Sequence, residues 1–138
     1  MKFRGGRVKP EAGLVDIAEF DKHRYVSLAT FRKSGAEVKT PVWFAAAGDK
    51  LYFFSAGNAG KVKRLRNSSR ARIAPCDVRG TVKGDWRDTN ARLVSDPALI
   101  ERVYVAFREK YGWQMSLLNV GARLAGKFHK RAFIEADF

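Results

Sequence analysis

The stretch Ser55 to Arg72, SAGNAGKVKRLRNSSRAR, decides how the fold is interpreted. It follows the apolar run LYFF at 51–54, which is typical of a buried strand. The small residues at 55–60 predict a turn after that strand. Asn58 is a suitable N-cap for a short helix over 59–66, so the stretch predicts a strand, a tight loop and a helix in succession.

The predicted helix combines a narrow apolar face with several cations. Val62 and Leu65 would form its buried face. The amino end of a helix carries about half a positive charge and unpaired N–H groups, which favour an anion and disfavour cations. Cations gathered at this end therefore predict a phosphate site, and a solvent-exposed basic helix is the alternative. The cations are Lys61, Lys63, Arg64 and Arg66.

The composition predicts one folded domain over residues 1–138. Hydrophobic residues make up 46% of the chain and aromatic residues 12%, enough to build a core. No apolar run approaches the roughly 20 residues of a membrane span. The basic arm at 1–10, which we expect to be flexible, is not followed by the apolar core of a signal peptide. The single cysteine, Cys76, fits a reducing compartment, so a cytoplasmic protein is expected.

The net charge of +13 predicts a polyanionic partner. Nucleic acid, acidic lipid and a polyanionic cofactor would all satisfy it. Small barrels can bind single strands by stacking bases on aromatic residues beside cations, and the two residue types do interleave here. Many of these aromatic residues fall on apolar strand faces, which favours core packing. A basic nucleic-acid-binding barrel without catalysis is therefore the alternative of a second class.

Six segments have the composition of strands, and hairpin-sized turns separate most of them. Short helices are predicted over 11–22, 97–111 and 113–124. Pro41 cannot donate a ladder hydrogen bond and predicts an edge strand or a bulge. The pattern predicts a mainly β protein, a small antiparallel barrel with flanking short helices. The six predicted strands cover 24–31, 38–46, 50–55, 71–75, 86–94 and 131–137.

Three strand residues predict association of two chains. Val42, Trp43 and Trp86 exceed what the interior of so small a barrel can hold. A shared interface would cover them, which predicts a homodimer.

The side chains do not form a recognisable catalytic set. His23 and His129 are isolated, and no Cys/His pair has the spacing of a zinc site. Cys76 has no evident general base, and a half-buried structural thiol is the simpler interpretation. No catalytic side chain and no metal ligand is therefore assigned. If the protein is an enzyme, a cofactor should carry the chemistry.

The order of motifs along the chain resembles a known family. RYVSLATF at 24–31 is followed by TPVWF at 40–44, GKVKRLRN at 60–67, RIAPCDVRG at 72–80 and KYG at 110–112. This order is similar to that of the pyridoxamine 5'-phosphate oxidase-like (PPOX-class) split-barrel proteins, which bind FMN or F420. It most resembles their branch of probable F420-dependent oxidoreductases, over roughly residues 23–136.

The resemblance implies a six-stranded split barrel that forms a homodimer, with two cofactor sites between the chains. It implies an F420-dependent oxidoreductase that transfers a hydride between the reduced cofactor and a small electron-poor substrate. An FMN-binding flavoprotein is the alternative. The long C-terminal extension that helps true pyridoxamine-phosphate oxidases hold their substrate is mostly absent, which disfavours that activity.

The resemblance also implies the cofactor-binding residues. Lys61 matches the phosphate-binding lysine of the family, but Ala59 stands where some relatives have an arginine. The phosphate would then depend on Lys63 or Arg64. Cys76, Asp77 and Arg79 match a segment of the branch without an assigned role. The ring system is expected along Ala29, Thr30, Thr40, Pro41, Val42 and Trp43, and the phosphate against Ser55, Asn58, Gly60, Lys61, Lys63 and Arg64.

Overall fold

The computed structural model describes residues 17–127 and 130–137. In this part of the chain, seven strands form one sheet with four helices around it. The strands are β1 (Tyr25–Phe31), β2 (Glu37–Trp43), β3 (Ala45–Ala47), β4 (Lys50–Ala56), β5 (Arg70–Cys76), β6 (Arg87–Val94) and β7 (Arg131–Asp137). The helices are α1 (Ile17–Asp21), α2 (Gly60–Asn67), α3 (Pro97–Tyr111) and α4 (Trp113–Leu124).

The sheet closes on itself through β2 and β3. Its strand order is β2-β1-β5-β6-β7-β4-β3, and every neighbouring pair is antiparallel. β2 and β3 lie at opposite ends of this order, yet only Phe44 separates them in sequence. The two edges of the sheet must therefore meet at Phe44, which curls the sheet into a barrel. The predicted mainly β antiparallel fold with short flanking helices is confirmed.

The prediction of six strands is wrong, because the segment predicted as one strand over 38–46 is two strands divided at Phe44. The Phe44 ring is fully buried, and its backbone groups bond the hydroxyl of Tyr111. The Phe44 N–H donates to this hydroxyl at 3.1 Å. The hydroxyl in turn lies 2.9 Å from the Phe44 carbonyl oxygen and 2.7 Å from that of Arg24. The Tyr111 side chain of α3 thus supplies the hydrogen bonds that a neighbouring strand would otherwise supply to Phe44.

Two apolar clusters stabilise the barrel. The first fills its interior, and its largest members include Leu28, Phe44 and Phe53. The second lies outside the barrel, where α3 packs on β3, β4 and β7. Its buried residues are Ala45, Tyr52, Val103, Phe107, Tyr111, Met115 and Phe133. Strand residues alternate between the two clusters, because successive side chains on a strand point to opposite faces.

Several local predictions are confirmed. α3 begins at Pro97, and the Asp96 carboxylate caps it by accepting the Ala98 N–H at 3.1 Å. α4 spans the predicted residues. β2 borders only β1, as expected of a strand that contains Pro41. Of the helix predicted over 11–22, the structure shows α1; residues 11–16, the arm at 1–10 and His129 lie outside the described residues.

Candidate cofactor-binding site

The predicted phosphate-binding helix is present as α2. Val62 and Leu65 are buried, as predicted, and hold the helix against the barrel. The N-cap is Ala59, not Asn58, and no side chain caps this end. The N–H groups of Val62 and Lys63 reach the Ala59 carbonyl oxygen at 3.1 and 3.2 Å. Those of Gly60 and Lys61 bond nothing within the described residues, so two donors remain available to a ligand.

Arg64 is held over this helix end by the barrel. Its Nε donates to Thr30 Oγ1 on β1 at 2.6 Å. The guanidinium folds back one turn, since a Cβ added to Gly60 would lie 2.8 Å from Arg64 Nη1. Glycine at 60 therefore makes room for Arg64, and the hydrogen bond to Thr30 fixes its direction.

Burial, and then neighbouring cations, lowers the pKa of two basic groups at this end. Burial, and then the Arg64 charge, lowers the pKa of Lys61. Burial, and then the Arg32 charge, lowers the pKa of Arg64. Both shifts have the sign expected of partly desolvated cations that lack a counter-ion. An anion bound among these cations would offset the repulsion between them.

A cleft of about 630 Å³ opens beside α2, and we call it the basic cleft. The sequence predicts Gly60, Lys63 and Arg64 at the cofactor site, and the structure adds three further cations to this cleft, Arg32, Lys33 and Arg70. The only local signal was the Arg-Lys pair in the β1–β2 turn. Among the residues that the structure describes, the cleft is lined by five cations and no carboxylate: Phe31, Arg32, Lys33, Gly35, Gly60, Lys63, Arg64, Asn67, Ser68 and Arg70.

Two residues expected at the phosphate lie in a different cavity. Ser55 and Asn58 line a space of about 560 Å³ between the β4–α2 loop and α4. Gly57 anchors this loop, because its N–H donates to the Lys130 carbonyl oxygen at 2.8 Å. Lys61, half-buried, borders neither space. The structure thus gathers only part of the expected phosphate set in the basic cleft.

The residues expected along the ring system lie on β1 and β2. Ala29 and Thr30 are buried, and Thr30 is engaged by Arg64. Thr40 is the one described residue with a buried side-chain polar atom that lacks a hydrogen bond. Pro41 is exposed on the edge strand, and Val42 packs against the barrel interior.

Trp43 stacks in parallel on Tyr111, with ring centroids 4.2 Å apart and planes 8° apart. It also lines a third cavity, of about 610 Å³, against α4. Val42, Trp43 and Trp86 are each half-buried within the single chain. The Trp86 ring lies beneath the cations of Lys39 and Arg72. The packing surplus that suggested a homodimer is therefore absent from these three residues.

The segment after β5 is a structural turn. The Asp77 carboxylate accepts the N–H groups of Arg79 and Thr81, each at 2.9 Å, and these bonds hold its pKa below the usual range. Burial raises the pKa of the Cys76 thiol, which is unfavourable for a nucleophile.

Within residues 17–127 and 130–137, no group of three potential ligands could hold a metal ion. None of the helices described is long and apolar enough to cross a membrane.

A family model for pyridoxamine 5'-phosphate oxidase matches residues 16–138. The chain belongs to the pyridoxamine 5'-phosphate oxidase family. This match covers the whole barrel, including β1, β2 and α2, and it confirms the family resemblance of the sequence motifs. A comparison with curated proteins gives no significant match.

Solved structures of this family share the split-barrel fold. The conserved hypothetical protein Rv2991 of Mycobacterium tuberculosis is 22% identical, with a TM-score of 0.65 over 93% of this chain and 84% of that one. HutZ, the heme storage protein of Vibrio cholerae, is 16% identical, with a TM-score of 0.66 over 88% and 86%. An F420 reductase is 15% identical, with a TM-score of 0.56 over 93% and 94%. At these identities the likeness shows the fold alone.

Proposed function

We propose that this chain is an oxidoreductase that transfers a hydride between reduced F420 and a small electron-poor substrate, with FMN as the alternative cofactor. The observation that carries the proposal is the basic cleft beside the uncapped end of α2, in a member of a family related to flavin and F420 enzymes. Two unpaired N–H groups and cations without carboxylates are the donors that a phosphate needs.

Each residue at this end has a distinct part in holding the phosphate. Lys61 and Lys63 would supply point charges, and the N–H groups of Gly60 and Lys61 would supply fixed donors. Arg64 would replace the arginine that some relatives carry at the position of Ala59. Because Thr30 already orients the guanidinium, little side-chain entropy would be lost when an anion binds.

The ring system would lie along β1 and β2, by Ala29, Thr30, Thr40, Pro41, Val42 and Trp43. The unsatisfied Thr40 hydroxyl supports this placement, because it offers a hydrogen bond that no described residue uses. A reduced deazaflavin or flavin supplies a hydride when it is bound. The protein would orient the partners and maintain a positive field, without a side-chain nucleophile.

F420 is placed before FMN for two reasons. The five cations of the basic cleft exceed what the single phosphate of FMN requires. One structural relative is an F420 reductase. Both reasons concern the cofactor and leave the substrate open.

The test is a parallel titration of F420, FMN and a random oligonucleotide at physiological salt. Saturable binding of one of the two cofactors, at one site per chain, is expected, with much weaker oligonucleotide binding. Nanomolar binding of the oligonucleotide, together with no binding of either cofactor, would show that this chain uses the fold for nucleic acid instead.

A further inference from the structure

We propose that the groove along α4 is an organic-anion site that takes an apolar, ring-containing molecule bearing a carboxylate. This inference rests on the proposed function in one respect: if the chain is an oxidoreductase, the groove is its substrate site. The argument uses the apolar face of α4, the shape of the groove and the charges at one end.

The apolar face of α4 is uncovered. Met115 is its one buried residue. The large apolar residues of α4 that line the cavity at Trp43 are Trp113, Leu117 and Leu118. Trp113 is 73% exposed and Leu117 is 63% exposed. Large apolar side chains gathered on one helix face mark a binding surface more often than a solvent face.

Two cavities lie side by side along this helix. The cavity of about 610 Å³ at Trp43 and Trp113 and the cavity of about 560 Å³ at Ser55 and Asn58 share three lining residues. The shared residues are Leu118, Ala122 and Lys127. The two spaces therefore adjoin along α4, and we call them together the α4 groove.

The two ends of the α4 groove differ in polarity. Lys127 is the sole charged residue that lines the end at Trp43 and Trp113. The other end adds Lys130 and Arg131, and over 17–127 and 130–137 no carboxylate lines either end. Arg131 is held in place, since its Nη1 donates to Asn119 Oδ1 at 2.7 Å and its guanidinium lies 4.5 Å from the Phe54 ring centroid.

This distribution selects one ligand chemistry. The apolar end gains free energy from burying rings or chains, and the cationic end gains from a carboxylate. Lys127 and Lys130 make no ion pair with any described residue, so an incoming anion displaces no protein carboxylate. A cationic ligand would be repelled at one end, and a neutral polar one would gain little at the other.

The position of the α4 groove links it to the proposed cofactor. Its cationic end includes Ser55 and Asn58, in the loop that leads directly into Gly60 and Lys61. A molecule in the groove would therefore lie next to the loop that leads into the end of α2, where we propose that the phosphate binds. The apolar end of the groove is lined by Trp43, which we propose along the ring system, and this position is what makes the groove a substrate site within the proposed function.

The experiment uses two fluorescent probes of the same shape, 8-anilinonaphthalene-1-sulfonate and uncharged N-phenyl-1-naphthylamine. We expect the full-length wild-type chain to bind one anionic probe per chain. Leu117→Glu should weaken both probes at least tenfold, because it places a charge in the apolar wall. The double variant Lys127→Ala, Lys130→Ala should weaken only the anionic probe, by about tenfold.

Two control variants match these changes elsewhere on the surface. Val105→Glu places the same charge on an exposed apolar position of α3, and Lys22→Ala removes an exposed cation of the α1 region. Both should leave probe binding unchanged. Equal effects in the control and groove variants would overturn the proposal. Circular dichroism of each variant verifies that it is folded.

Sedimentation and cofactor titration separate the remaining outcomes. A wild-type dimer that binds no probe, and that Leu117→Glu converts to a monomer, would show that a second copy covers the groove, and the proposal would fail. If the probes behave as expected while neither F420 nor FMN binds, the anion site stands and the proposed function fails. If a cofactor binds and the probes do not, the proposed function stands and the groove assignment fails.

Discussion

At the scale of single residues, the site depends on how Arg64 is held. The Thr30 hydroxyl, buried on β1, accepts its Nε–H, and Gly60 leaves room for its guanidinium. These contacts join the two sequence segments that carry the family's motifs, RYVSLATF and GKVKRLRN. A barrel residue thus orients a helix side chain that we propose binds the cofactor phosphate.

Lys61→Ala tests the phosphate site directly. We expect cofactor binding to weaken by roughly 1.5–3 kcal/mol, the value of a charge-assisted hydrogen bond in a partly desolvated site. Isothermal titration of the bound cofactor measures the change. The matched control is Lys22→Ala, which removes the same charge outside the site and should leave affinity unchanged. Wild-type affinity in Lys61→Ala would refute the assignment of this lysine.

At the scale of secondary-structure elements, Tyr111 of α3 joins β2 and β3 where the barrel splits. Tyr111→Phe would leave the Phe44 N–H without its partner while keeping most of the ring packing. Burying an unpaired backbone donor should lower the free energy of unfolding by about 1–3 kcal/mol. Urea unfolding measures it, with Tyr25→Phe as the control. Equal stability of the two variants would contradict this role.

The pairing of β4 and β7 contains a titratable contact. Tyr52 lies directly opposite Glu135, and its hydroxyl donates to Glu135 Oε2 at 2.8 Å. Burial, with this hydrogen bond and the Glu135 charge, raises the pKa of Tyr52 to about 12. Because the pKa of the folded state exceeds that of the unfolded state, the stabilisation is present below pH ~10 and is lost as the pH rises towards 12.

Unfolding measurements from pH 9 to 12 check this contact. The free energy of unfolding of the wild type should decline more steeply than that of Tyr52→Phe, because only the wild type loses the contribution of this tyrosine. Parallel declines in the two proteins would show that Tyr52 does not stabilise the fold in this way.

At the scale of the whole molecule, we propose that two chains associate, as the family resemblance implies. Val42, Trp43 and Trp86 no longer carry this proposal, because each is half-buried within one chain. Sedimentation equilibrium at micromolar concentration should give about 31 kDa, twice the 15.5 kDa of one chain. A mass of one chain would count against a cofactor site shared between chains.

The sequence alone determined the local elements and the family. Period-two and period-3.6 patterns, proline at 97 and the small residues at 55–60 are signals carried by neighbours in sequence, so the strands and the bounds of α4 could be predicted. The proposal of a phosphate site at α2 rests on the same kind of signal. The prediction of Asn58 as the N-cap is wrong, since Ala59 occupies that position. Capping depends on the backbone geometry, which the residue type favours but does not fix.

The tertiary structure alone decided how distant segments combine. Phe44 divides a predicted strand because Tyr111, 67 residues away, supplies its hydrogen bonds. Arg32, Lys33 and Arg70 join the helix cations only after β1 and β5 pair. The α4 groove likewise needs β4 and β7 beside α4. Contacts between residues far apart in sequence follow from strand pairing and packing in space, and local periodicity carries no information about them.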